Sequence, residues 1–187
     1  MTSSIDRQAK GPTWRAAHGT GISLAPPWWR AAHGTGISQR LLIACAPFGP
    51  RLSAAAAAGA IARGLREGGL PEPDVCALPS TGDGDGEGEG DGDAVRAMLE
   101  ALDFDARMRG ARAIVVGTPL LEERTLAGSA AFEIATRARQ GGVPSYAVTR
   151  ENALDAFDAR ILDLQAILLA RGGRGLASAG LELARLV

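Results

Sequence analysis

The chain has 187 residues, 46% of them hydrophobic, and a formal charge of -1. That length suits one domain with a proper core, or one domain and a tail. The near-neutral balance gives no general basic field, which excludes a charge-driven nucleic-acid binder. No run of about 18 apolar residues occurs, so no membrane association is expected. Cys45 and Cys76 are the only cysteines, each inside an apolar, strand-like run. They read as reduced, buried thiols of a cytoplasmic protein rather than a disulfide or metal pair.

Residues 1–39 differ from the rest. The decamer WRAAHGTGIS occurs at Trp14–Ser23 and again at Trp29–Ser38, and its Gly, Pro and Thr-Gly pairs break any regular period. Two short copies cannot stack as a solenoid, and no apolar segment with a small-residue cleavage site follows. The segment reads as a low-order extension, either a translation start placed upstream of the domain near residue 40 or a partner-binding tail. His18 and His33 lie within it with no partnering acid nearby.

From residue 40 to 187 strands and helices alternate. Leu41–Cys45 is a continuous apolar run, as expected of a parallel strand buried on both faces. Ser53 stands as an N-cap before an alanine-rich helix reaching about Glu67, with Gly68-Gly69 and Pro71 as its stop. Val75–Leu78 reads as the second strand. Asp93–Leu102 places Val95, Met98, Leu99 and Leu102 on one helical face. A helical turn at Phe104–Arg109 and a third strand at Ala113–Val116 follow. Thr125–Gln140 reads as a helix with Leu126, Ala130, Ile134 and Ala138 on one side and Glu133 paired with Arg137 on the other. Gly141-Gly142 stops it, and Val143–Val148 is a fourth strand. Ile161-Leu162 supplies a short fifth strand, with Leu164–Leu169 and Gly175–Val187 helical. This order predicts an α/β, three-layer, Rossmann-like domain with a mostly parallel sheet of about four to five strands and helices on both faces.

Ligands of such sheets bind beyond the carboxyl ends of the strands. Four loops are predicted there: Ala46–Leu52, Pro79–Gly92, Gly117–Arg124 and Thr149–Asn152. The second, at 80–93, is a near-strict alternation of glycine with Asp83, Asp85, Glu87, Glu89, Asp91 and Asp93. An EF-hand needs a glutamate at its twelfth position, and counting from Asp83 or Asp85 gives Ala94 or Arg96. The loop therefore reads as a flexible acidic linker. Gly173-x-Gly175 lacks the third glycine of a dinucleotide fingerprint, and no P-loop signature occurs.

The stretch Ile114–Pro144 reads IVVGTPLLEERTLAGSAAFEIATRARQGGVP, and the first loop with its flanks reads APFGPRLSA. These segments resemble the two-domain bacterial glycerate kinases, whose corresponding stretches run roughly LVITGEGRLDxQTLxGKA and APDSFKGSLSA. Gly82-Asp83-Gly84 with Glu87-Gly88 is similar to that family's LADGGEGT-like motif. The resemblance covers Leu41 to the C-terminus and implies ATP-dependent phosphorylation of D-glycerate, with ATP and Mg²⁺ as cofactors. Arg51 and Glu122 then stand at catalytic positions, Gly117, Thr125 and Gly128 in the nucleotide-binding frame, and Asp83 and Glu87 on the metal side.

The chain departs from the family pattern where the chemistry lies. Gly49 and Ser129 occupy the two lysine positions, and Thr118, Pro119 and Leu120 replace an acid, a glycine and an arginine. Arginine is not a conservative stand-in for lysine at a phosphate site. Phosphoryl transfer is almost entirely positioning and charge stabilisation, so these departures imply reduced or absent activity. The family's second domain, inserted after the Asp93–Leu102 helix, is missing; the surface it leaves would favour a homo-oligomer. The alternative expectation is a non-catalytic, pseudokinase-like module that binds a ligand such as glycerate or ATP, or a protein partner.

Overall fold

The computed structural model describes residues 40–79, 92–122 and 128–187. The duplicated decamer, the acidic loop with Asp83 and Glu87, and Thr125 lie outside the described residues.

β1 (Leu41–Cys45) is buried along its whole length, as its unbroken apolar run requires. It pairs in parallel with β2 (Asp74–Ala77) on one edge and β3 (Ala113–Leu121) on the other. β4 (Ser145–Asn152) and β5 (Leu164–Leu169) complete a five-stranded, all-parallel sheet in the order β2-β1-β3-β4-β5. Helices cover both faces, so the domain is a three-layer, Rossmann-like α/β sandwich.

On one face lie α1 (Ala54–Glu67) and α6 (Gly172–Leu183). Leu41, Ile43, Cys45, Val115 and Val148 meet Ile61, Leu65, Leu176 and Leu183 there. The Ser53 hydroxyl accepts the Ala56 N–H at 3.3 Å and starts α1 as the sequence predicts. Glycine sets how closely the two helices approach. A Cβ on Gly64 would fall on the Ala177 carbonyl, and one on Gly180 on the Ile61 carbonyl. The helices therefore pack backbone against backbone.

The opposite face carries α2 (Gly92–Ala101), α3 (Phe104–Arg109) and α4 (Ala130–Gly141). Val95, Leu99, Phe104, Met108, Ile134 and Ala138 bury Leu42, Ala44, Ile114 and Val116. The predicted Glu133–Arg137 pair forms at 3.0 Å, and Arg137 also reaches Asp105 at 3.1 Å. Among the described residues, every buried side-chain nitrogen and oxygen has a hydrogen-bond partner.

Several predicted boundaries change. α4 starts at Ala130 rather than Thr125, because Gly128 has φ +81° and the Ser129 hydroxyl caps the helix by accepting the Phe132 N–H at 3.1 Å. Leu164–Leu169 is a strand, not a helix, and Ile161-Leu162 is not a strand: Ile161 ends the short helix α5 (Ala156–Ile161). The run LQAILL satisfies either period alone. Asp163, at φ 52°, breaks the chain after α5, and alternation then sends Ala166 and Leu168 into the α1–α6 core. α6 begins at Gly172 rather than Gly175 and ends at Leu183, beyond which the chain turns. β3 and β4 run further than predicted, absorbing Gly117–Leu121 and Thr149–Asn152 as paired strand.

The α1–α6 contact predicts opposite effects for two glycine substitutions in one helix. Gly64→Ala should lower the unfolding free energy by about 2 kcal/mol or more through overpacking. Gly59→Ala, where an added Cβ meets nothing within 4 Å, should raise it by roughly 0.5–1 kcal/mol. Urea unfolding of both variants checks the pair.

Candidate functional site

The chain leaves β1 for the outer strand β2 and then crosses back to β3 on β1's other side, so the strand order reverses at β1. A crevice is expected beyond the carboxyl ends of strands at such a reversal. β1 stops at Cys45, opposite Gly117, while β3 continues to Leu121 beside β4. Pro119 sits in that continuation. It is skipped by the β3–β4 register and tolerated because β1 has ended and no ladder bond is required there.

The loop after β1 is a compact turn. The Ala46 N–H donates to the Gly117 carbonyl at 2.8 Å, Phe48 N–H to the Leu52 carbonyl at 2.9 Å, and Leu52 N–H to the Gly49 carbonyl at 3.1 Å. Phe48 is buried and pins the turn to the core. Gly49 has φ +124°, a conformation that favours glycine, and a Cβ there would lie 3.9 Å from Arg150 Nη1. Arg150 follows Tyr146 and Val148 in alternation along β4, on the face that carries α1. Arg51 extends from the same turn and is exposed.

Among the described residues, neither Arg51 nor Arg150 forms an ion pair. The first turn of α1, directly after this loop, contains no acid. Arg51 and Arg150 thus flank the turn that leads into the positive end of a 14-residue helix.

The other groups nearby are held by their own backbone. Thr149 is fully buried and its hydroxyl donates to the Glu151 carbonyl at 2.8 Å; Thr118 donates to the Leu120 carbonyl at 3.1 Å. Burial pushes the Cys45 thiol up to about 12, so it is no nucleophile at neutral pH.

The predicted site residues divide between the faces. Arg51 belongs to the α1 side. Gly117 is buried inside β3, where a Cβ would come 2.5 Å from Cys45 Sγ, so its lack of a side chain serves sheet packing. Gly128 lies on the α2–α4 side, its Cα 3.8 Å from where a Cβ on Gly92 would be. Glu122 is half-buried immediately after β3. Among the described residues, no cluster of three His, Cys, Asp or Glu side chains is placed to hold a metal ion. Arg150 escaped the sequence reading. The available signal was its place as the first charged residue after an apolar strand, on the alternation that leads toward the first loop.

A second charged arrangement lies at the amino end of the sheet. Arg107 donates to both Asp74 carboxylate oxygens, at 2.8 and 2.6 Å, and to the Val75 carbonyl at 2.7 Å. Beside it is a shallow depression of about 240 Å³ lined by Arg40, Leu41, Asp74, Ala106, Arg107, Gly110 and Ala111. The bidentate bond locks Arg107 into the fold.

No protein-family model and no curated protein sequence matches the chain.

The Arg107 hydrogen bonds hold the Asp74 carboxyl below the usual carboxylate range. A depressed folded-state pKa stabilises the fold above the unfolded value, about pH 4, and that contribution is lost as pH falls through the folded value. Asp74→Asn should therefore unfold more readily than the parent at neutral pH, with the difference shrinking under acid. Tm measured from pH 7 down to pH 2.5 checks the sign.

Proposed function

We propose that this domain binds a small phosphate- or carboxylate-bearing ligand at the carboxyl end of the sheet and does not transfer a phosphoryl group. It is a glycerate-kinase-like scaffold acting as a pseudokinase-like binding module. One observation carries the reading: Arg51 and Arg150 flank the Gly49 turn at the start of α1, and among the described residues neither forms an ion pair. An anion there would meet two guanidinium groups and the helix N-terminus, a combination that recognises planar or tetrahedral oxyanions.

Support for the non-catalytic part comes from the residues at the family's cation positions. Gly49 bears no charge, and the Ser129 hydroxyl caps α4. ATP–Mg²⁺ and D-glycerate are the ligands to try first, because the resemblance names them. A cytoplasmic setting belongs to the same proposal, supported by two free, buried cysteines.

The test is a thermal-shift titration of the full chain with inorganic phosphate, ATP–Mg²⁺ and D-glycerate, followed by a phosphoryl-transfer assay. A ligand at 100 times its dissociation constant should stabilise the fold by about 2.7 kcal/mol. Arg51→Ala and Arg150→Ala, both at exposed positions, should each weaken binding about tenfold, close to 1.4 kcal/mol, without lowering the ligand-free Tm. Turnover of ATP and glycerate would overturn the non-catalytic reading, and no shift with any of the anions would overturn binding itself.

A further inference from the structure

The start of α6 meets the Gly49 turn across Arg150. Thr149 is level with Leu169, and the Ala170 N–H donates to the Thr149 carbonyl at 2.7 Å, so the next step of the register sets Arg150 beside Ala170. α6 folds back over that position: a Cβ on Gly175 would lie 3.5 Å from the Ala170 carbonyl carbon. Arg150 Nη1 in turn lies 3.9 Å from where a Cβ on Gly49 would be.

α1 and α6 run side by side in the same direction. A Cβ on Gly180 would fall on the Ile61 carbonyl, and one on Gly68, further along the first helix, on Ala184, further along the second. Both helices therefore begin at the carboxyl end of the sheet. Within α6, Ala177 and Leu181 turn their backbone toward Gly64 of α1. Arg174 stands one and two turns before them on the same stripe, and helical side chains lean toward the N-terminus. Arg174 thus projects from the first turn of α6 on the side of α1, toward the end that holds Arg51 and Arg150.

Charge is sorted along these segments. Residues 40–66 and 164–181 contain arginines and no acid. Their first carboxylates, Glu67 and Glu182, come at the far ends of the two helices. β4 has no acid before Glu151, which alternates onto the opposite face from Arg150. Arg174 is exposed, and like Arg51 and Arg150 it forms no ion pair among the described residues.

We infer, on the reading that Arg51 and Arg150 bind an anion, that Arg174 is the third guanidinium of that site and sets its choice of ligand: a phosphate dianion, free or as a phosphomonoester, over a carboxylate. A phosphomonoester carries a charge of about -1.5 to -2 at neutral pH and three acceptor oxygens, one for each guanidinium. A carboxylate has a single charge and two oxygens, which Arg51 and Arg150 satisfy, so it gains little from the third. The second charge of the phosphate meets no acid along the segments that carry the three arginines.

Calorimetric titration of the full chain with inorganic phosphate, methyl phosphate and acetate tests the assignment, at about pH 8, above the second phosphate pKa of about 6. Both phosphates should bind at least about tenfold tighter than acetate. Arg174→Ala should weaken phosphate binding about tenfold, leave acetate binding unchanged, and keep the ligand-free Tm of the parent, because the side chain is exposed. Arg63→Ala, which removes an equal charge from an exposed position further along α1, should bind phosphate like the parent. Methyl phosphate binding at least as tightly as inorganic phosphate assigns an ester as the ligand, and weaker binding assigns the free ion. Phosphate binding indifferent to Arg174→Ala, equal loss with Arg63→Ala, a parallel loss for acetate, or acetate as tight as phosphate would each overturn the inference and leave anion binding at Arg51 and Arg150 standing. No binding by any of the three anions would overturn both.

Discussion

β1 is enclosed on all sides, and the rest of the domain follows from that. Its two edges are paired with β2 and β3, and its side chains alternate between two separate cores, Ile43 and Cys45 into one and Leu42 and Ala44 into the other. A strand so buried has no room for a polar side chain and none for a connection in its own plane. The chain must leave over one face, return in parallel and do so again in the opposite direction. The reversal of strand order at β1 is a product of this enclosure. Fold and candidate site thus share one cause.

Glycine and alanine govern the α1–α6 layer. α1 is rich in alanine and meets α6 where neither Gly64 nor Gly180 can accept a Cβ. Close approach replaces side-chain bulk with backbone contact, so the layer is thin but dense. The opposite layer uses larger side chains, among them Phe104, Leu99, Met108 and Ile134, and surrounds them with the Arg137–Glu133–Asp105 pairs. Ion pairs of this kind, partly exposed, orient helices more than they stabilise them.

The glycines and serines of the turns serve the strand–turn–helix itself. Gly117 makes room for Cys45, Gly128 supplies a left-handed turn before α4, and Ser53 and Ser129 cap helices. Two arginines, Arg51 and Arg150, flank the Gly49 turn on the α1 face. A planar guanidinium matches an oxyanion bidentately, where a lysine acts as a point charge.

The sequence by itself determined the element types wherever one period was unambiguous. β1, capped α1, α3, and α4 with its Glu133–Arg137 pair were legible because apolar spacing and stop signals agreed. So was the α/β class, from the alternation of elements. Leu164–Leu169 was not legible, because six mostly apolar residues fit a helix or a strand equally, and only pairing with β4 and the turn at Asp163 decide. The start of α4 was misplaced for a related reason. The left-handed φ of Gly128 and the capping hydroxyl of Ser129 set that start, and neither is written in the apolar spacing. Arg51 stands in a segment that the resemblance covers motif by motif, whereas Arg150, 99 positions away, matches no motif and carries only a weak positional signal. Only parallel packing of β4 beside β3, carrying Arg150 on the α1 face, brings it to Gly49. Local propensity is written in neighbouring residues; the meeting of distant ones is decided by which surfaces the folded sheet buries.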